Sequence, residues 1–248
     1  MSPVTVEYTT PEGNPPVALL RLDDGKANAL GPATLDALAA ALAEIDASEA
    51  RALVIVGRVG FFSGGLDLKL LPTLSTAEKQ AVLARLGDVL LRIFRFRVPT
   101  VAALTGHAIA GGALLALAAD VRVGADTAAR FGVTEVALGL PVPSFGLLLA
   151  RSALAPATLV DVALHAKVLT LQEALARGVV SELHPPESLV EAAVARAGEL
   201  ARLDGPAYAA TKRALWADEL ARIDAGLPAE VAHFIALFEA RFPGAARV

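Results

Sequence analysis

Three short segments of the chain concentrate residue types that could handle a carbonyl-bearing substrate. Phe61-Phe62-Ser63-Gly64-Gly65-Leu66-Asp67-Leu68-Lys69 follows an apolar run at 52–56. Its paired glycines let backbone approach a ligand, and N–H groups left free after a strand can hold an oxyanion. The same residues would also make an ordinary turn, with Asp67 capping the next helix. Gly106-His107-Ala108-Ile109-Ala110-Gly111-Gly112-Ala113 leads into an apolar helical stretch. Unpaired N–H groups at a helix start favour a developing anion, although small residues there equally permit close helix packing. The spacing is not G-x-G-x-x-G, so no dinucleotide site is read from it. In Phe131-Gly132-Val133-Thr134-Glu135-Val136-Ala137-Leu138-Gly139-Leu140-Pro141, Glu135 stands in otherwise apolar company. A carboxylate so placed gains a raised pKa and suits proton transfer near neutral pH; on an exposed turn it would be an ordinary surface residue.

Elements able to position these segments can be read from the apolar pattern. Strands are expected at 4–10 and 17–22, with a turn at Pro11-Glu12-Gly13-Asn14 between them. A helix starts near Pro32 and carries Leu35, Leu38, Leu42 and Ile45 on one face. A strand at 52–56 runs into a Gly-rich loop at 57–65. A long helix at 78–96, a strand at 100–104, a buried helix at 110–119 and a strand at 121–123 come next. Residues 135–140 lead to the turn Pro141-Val142-Pro143, and the last strand is expected at 179–183. Beyond Pro185-Pro186 only helix is expected, over 189–242. The reading is an α/β core over 1–186 and a helical C-terminal region over 187–248.

Composition narrows the function classes. With 248 residues, of which 55% are hydrophobic and 19% charged, the chain can bury a large core and is not a disordered one. A formal charge of −4 gives no basic surplus for nucleic acid. The absence of Cys removes disulfides, thiolate catalysis and Cys-ligated metals, and the four His are not spaced as metal ligands. The window 98–119 carries no Asp, Glu, Lys or Arg and is long enough to span a bilayer. Pro99, Thr100, Thr105, Gly106, His107, Gly111 and Gly112 divide it, so a buried strand followed by a buried helix is expected instead of a membrane span. The first eight residues lack the basic-then-apolar pattern of a secretory leader, and a cytoplasmic location is expected.

Taken together, in this order and spacing, the segments resemble the crotonase (enoyl-CoA hydratase/isomerase) superfamily. The first is similar to its F-x-A-G-x-D-x-K loop. The second, running on to Asp120, is similar to its N-G-x-A-x-G-G-G…D segment, and the third to its F-x-x-P-E-x-x-x-G-x-x-P segment. Lys26-Ala27-Asn28-Ala29-Leu30 is similar to its N-A-L stretch. The resemblance implies a spiral of ββα units and a helical C-terminal part that forms trimers or dimers of trimers. It also implies an acyl-CoA thioester substrate of fatty acid metabolism, with no cofactor beyond the coenzyme A of that substrate and no metal. By the same resemblance, the N–H groups of Leu66 and Gly111 form the oxyanion hole. Lys26, Ala27, Ala29, Gly65, Asp67, Leu68 and Lys69 line the coenzyme A, although Lys69 reads equally as a solvated lysine.

One departure bears on the chemistry. The hydratase subgroup carries a first glutamate in G-G-G-x-E, and here that position is Leu114. The second is Glu135, preceded by Thr134 where the family has proline. Hydration suits two carboxylates sharing a water, whereas one carboxylate suits moving a proton between two carbons. Double-bond isomerisation is therefore expected, with Glu135 as single acid/base. Open alternatives are a hydratase with another second polar group, a C–C hydrolase or decarboxylase, and a silent acyl-CoA-binding protein. His107 reads as a packing residue or a base, Ser144 as a helix cap or a water-orienting group, and Asp120 as structural. Phe234, Leu237 and Phe238 give the C-terminal helices an apolar face, suited to oligomerisation or to packing within the chain.

Overall fold

Apolar runs bounded by Gly, Pro and Asp form the strands, as their composition dictates. The computed structural model describes residues 2–242, so the last six residues of the expected 187–248 region lie outside the described residues. β1 (Val4–Thr9) and β2 (Val17–Leu22) make an antiparallel hairpin, followed by α1 (Pro32–Asp46). Three times thereafter the chain lays one strand in each of two sheets before a helix. β3 (Ala52–Val56) and β4 (Gly60–Ser63) precede α2 (Thr76–Phe94). β5 (Thr100–Leu104) and β6 (Gly106–Ile109) precede α3 (Gly111–Leu117). β7 (Val121–Ala125) and β8 (Arg130–Gly132) precede α4 (Ser144–Ala153). Then come α5 (Pro156–Leu159), β9 (Leu169–Thr170), α6 (Leu171–Ala176) and β10 (Glu182–His184). The chain ends in α7 (Leu189–Leu200), α8 (Gly205–Leu215) and α9 (Ala217–Arg241).

The strands sort into a sheet of order β1-β2-β3-β5-β7-β10, parallel from β2 onward, and a smaller one of order β4-β6-β8-β9, parallel through β8. This is the α/β spiral of ββα units that the resemblance implied. β3 is apolar at every position because both faces of its sheet are covered. Leu53 and Ile55 face the core that includes α1 and α2, while Val54 and Val56 face Leu189, Ala193 and Ala197 of α7. The start of α2 is fixed by a capping box, in which Ser75 and Glu78 exchange backbone and side-chain hydrogen bonds. α9 lies against α2 and α4.

The structure differs from the sequence reading at the short strands. The expected loop at 57–65 contains β4, and 106–109, read as the approach to a helix, is β6. Glycine hid both. A Cβ on Gly106 would stand 1.9 Å from the carbonyl carbon of Gly60, so here glycine permits two strands to touch. The strand expected at 179–183 begins only at Glu182, because Val179 and Val180 both donate to the Ala174 carbonyl in a turn. The helix expected from 78 begins at Thr76, and the one expected at 110–119 is Gly111–Leu117. The charge-free window resolves into β5, β6 and α3, and among the described residues no helix is long and apolar enough to cross a membrane.

Candidate active site

The segment after β2 is tied down by two side chains. Asp24 Oδ1 accepts from the N–H groups of Lys26 at 2.7 Å and Asn28 at 2.9 Å, and its Oδ2 from Ala29 at 3.0 Å. Partial burial works to raise the Asp24 carboxyl, and these donors outweigh it and hold it below the usual carboxylate range. Asn28, buried at φ 51°, donates Nδ2 to the carbonyls of Leu22, Phe61 and Phe62 at 2.9–3.2 Å. Its own carbonyl accepts from Ser63 Oγ at 2.7 Å. One asparagine thus joins the end of β2 to the end of β4. It places Ala27 and Ala29 alongside the glycine turn, where Gly64 N–H donates to Ala27 O and Leu30 N–H to Gly65 O, each at 2.8 Å.

The two glycine segments meet backbone to backbone. Gly65 has φ 83°, and a Cβ on Gly112 would stand 2.0 Å from Ser63 O. The Leu66 nitrogen lies 3.5 Å from where a Gly111 Cβ would be. Among the described residues, neither the Leu66 N–H nor the Gly111 N–H donates to a protein acceptor. Further into α3, the N–H groups of Ala113 and Leu114 turn back onto Ala110 O at 2.8 and 3.0 Å. Ala110, just before Gly111, is held at φ 52° and ψ −126°, a conformation glycine adopts freely and alanine does not.

Beside these two N–H groups is a cavity of about 50 Å³, walled by Leu66, Leu71, Leu83, Leu86, Leu114, Leu138, Leu140, Phe145, Phe234 and Phe238. Among the described residues, Glu135 is the one lining residue whose side chain can ionise or hydrogen-bond. It is 8% exposed, and its Oε2 is buried with no partner among the described residues. Burial pushes its carboxyl up to about 7. A short turn fixes it, since both Leu138 and Leu140 donate N–H to Glu135 O at 3.0 Å, and Gly139 at φ 77° ends that turn. Leu114 occupies the wall against α4, where a Cβ on Gly146 would stand 2.9 Å from Leu114 Cδ1.

The remaining sequence candidates divide. Leu68 is exposed at the cavity rim, Lys26 and Lys69 are exposed, and Asp67 Oδ1 caps the following turn by accepting from Lys69 and Leu70 N–H at 3.0 Å. His107 lies outside the cavity, with its ring 5.3 Å from that of Phe61 and its Nδ1 accepting from Arg130 N–H. Ser144 also misses the cavity. Its N–H and hydroxyl bind Glu230 of α9, and Pro143 holds the cap position. Asp120 is structural, accepting from Thr100 N–H and Oγ and from Lys212. Phe234 and Phe238 are buried within the chain, so packing inside one copy accounts for them. Sequence reasoning missed the anchoring roles of Asp24 and Asn28, and it missed that α2 and α9 supply cavity walls. The apolar spacing of α9 was the available signal.

Two sheets fed alternately by ββα units, closed by C-terminal helices, define a crotonase-type fold. The family model for enoyl-CoA hydratase/isomerase matches residues 12–241, and the chain belongs to that family of enzymes. The chain is similar to an Mtb protein whose apo structure is described as an enoyl-CoA isomerase, at 37% identity and TM-score 0.84, covering 94% of this chain and 99% of that one. It is similar to an enoyl-CoA hydratase of Mycobacterium marinum at 36% identity and TM-score 0.83, with the same coverage of 94% and 99%. It is also 35% identical over 205 residues to a carnitinyl-CoA dehydratase of Salmonella arizonae, covering 80% of this chain and 76% of the relative.

Proposed function

We propose that this enzyme moves a carbon–carbon double bond of an acyl-CoA from the β,γ to the α,β position. The observation that carries the reading is that Glu135 is, among the described residues, the sole side chain with acid–base capacity on the cavity wall. Its carboxylate removes the α-proton. The electron pair passes into the thioester carbonyl, whose oxygen accepts from the free N–H groups of Leu66 and Gly111. The resulting acid returns its proton to the γ-carbon, so no atom is gained or lost. Two such donors are worth having: removal of one oxyanion-hole donor generally lowers kcat by about 10²–10³. A carboxyl poised near 7 can take and return a proton at neutral pH.

The coenzyme A runs along Lys26, Ala27, Ala29, Gly65, Asp67, Leu68 and Lys69, with the two exposed lysines available to its phosphates. No further cofactor takes part, and the setting is cytoplasmic fatty acid metabolism. Trimers, or dimers of trimers, are supported by the exposed Val136, Leu147, Val160 and Leu164, which line one surface groove together with Arg151.

A hydratase is the second reading, favoured by relatives of that name. It would need a group to hold the water opposite Glu135, and among the described residues the lining offers none beyond Glu135 itself. Proton NMR in D2O with 3-enoyl- and 2-enoyl-CoAs separates the readings. Isomerisation puts deuterium at the α- or γ-carbon, lost in Glu135→Gln, whereas a 3-hydroxyacyl product means hydration. A Glu135→Gln variant with normal turnover on every acyl-CoA would end both.

A further inference from the structure

We infer that the site selects short acyl groups, of about four carbons, and that Phe234 and Phe238 of α9 set this limit; the inference rests on the proposed acyl-CoA chemistry. The space beside Glu135 is about 50 Å³. An apolar cavity of about 150 Å³ holds the six carbons of benzene, so this one holds about two. Leu66 and Gly111 line the same space, so with the thioester carbonyl at their N–H groups only the first few carbons of the acyl chain find room beside Glu135. A longer tail has to push the wall side chains apart.

The walls differ in how far they can yield. Phe145 is buried with its ring against backbone: a Cβ on Gly87 would stand 3.2 Å from two of its ring carbons. Behind it, Leu114 is wedged on Gly146. This side is packed to its limit, and enlarging it means shifting α2, α3 or α4. A further part of the lining comes from one helix, α9, which contributes Phe234 and Phe238. That helix is itself pinned in place. Glu239 accepts from buried Lys79 at 2.8 Å and from Thr76 Oγ at 2.7 Å, and Glu230 accepts from Ser144 N–H at 2.6 Å. The two phenylalanines therefore form a fixed stop that a side-chain change can remove without cutting a sheet.

Binding of saturated butanoyl-, hexanoyl-, octanoyl- and dodecanoyl-CoA, measured by calorimetry, tests this without needing turnover. Each accommodated methylene raises affinity about fourfold. In the wild type, the rise stops at about four carbons and affinity is flat or falling by eight. Phe238→Leu and Phe234→Leu, each of which frees about one carbon's space and keeps an apolar core, move the break outward and raise hexanoyl-CoA affinity about fourfold. Wild-type affinity that climbs steadily through eight or twelve carbons overturns the proposal. So does a break that neither variant moves. Binding limited to short chains without turnover of the matching 3-enoyl-CoA leaves the proposal standing and removes the isomerase reading. No binding at any length removes the acyl-CoA reading, and the length limit with it.

Discussion

A methyl group on Gly65 would stand 2.9 Å from the amide nitrogen of Gly111 and 2.9 Å from the carbonyl of Ile109. The turn after β4 and the start of α3 are therefore spaced by the absence of a side chain. Gly65 also sits at φ 83°, which an L-residue resists. Gly65→Ala must push the two segments apart, and with them the N–H groups of Leu66 and Gly111. Turnover is expected to fall by about 10²–10³, the effect of losing an oxyanion donor, while the apolar walls around Glu135 keep their packing. Steady-state kinetics on an acyl-CoA check this, with a circular dichroism spectrum to confirm the fold. Unaltered kcat would place the oxyanion elsewhere.

Ala110 gives the opposite sign from most Ala→Gly changes. Its φ of 52° and ψ of −126° suit glycine, so Ala110→Gly releases strain of about 1 kcal/mol or more instead of adding flexibility at a loss. Denaturant unfolding should show a higher midpoint with an unchanged slope. A variant less stable than wild type would mean that contacts of the Ala110 methyl outweigh the backbone strain.

Much of this was legible in the residues. The five-residue apolar strands and the amphipathic α1 follow from periodicity, and Glu135 stood out because its neighbours are apolar. The smaller sheet was not legible. β4 and β6 have four residues each, and each begins at a glycine whose role is close contact between strands, which reads in sequence as a loop. The cavity wall was only half legible. Leu114 and Leu71 lie near the motifs, but Leu83, Phe234 and Phe238 arrive from distant helices, and a helical apolar face does not say what it covers. Asn28 was visible as a residue and invisible as a knot, because the carbonyls that its Nδ2 binds lie 6 to 34 positions away.

Asn28 should be among the least replaceable residues outside the cavity. Three carbonyl oxygens, of Leu22, Phe61 and Phe62, face its Nδ2. Asn28→Asp keeps shape and tolerance for positive φ but turns a donor into an acceptor against those oxygens. Unfolding free energy should drop by about 3 kcal/mol or more, as expected when buried polar groups lose their partner and face a like charge. Chemical denaturation at pH 7 measures it. A loss under about 1 kcal/mol, the net worth of a single ordinary hydrogen bond, would show that the two segments are held together by the backbone bonds alone.

The pH behaviour of Glu135 joins stability to activity. Burial raises its carboxyl from 4.5 in the unfolded chain to about 7 in the fold. The folded state therefore keeps a proton that the unfolded state releases. The associated stability is complete below pH 4.5 and is lost as pH climbs from 4.5 through 7. The loss at pH 8 is about 3 kcal/mol, from about 1.4 kcal/mol per pKa unit. Glu135→Gln has no such proton, so the two proteins should unfold alike near pH 4.5. The variant should melt higher by about 5–10 °C at pH 8, given the thermal sensitivity of a chain this long. Catalysis runs the other way. Only the carboxylate can take the α-proton, so kcat/KM should climb about tenfold per pH unit below 7 and level off above it. One group then ends one pH dependence where it centres another: the wild-type-minus-variant melting difference stops changing near pH 7, and the rate profile has its midpoint there. Scanning calorimetry and initial rates across about pH 4.5–9 measure both, and a rate midpoint near 4.5 would assign the base to a solvent-exposed carboxylate instead.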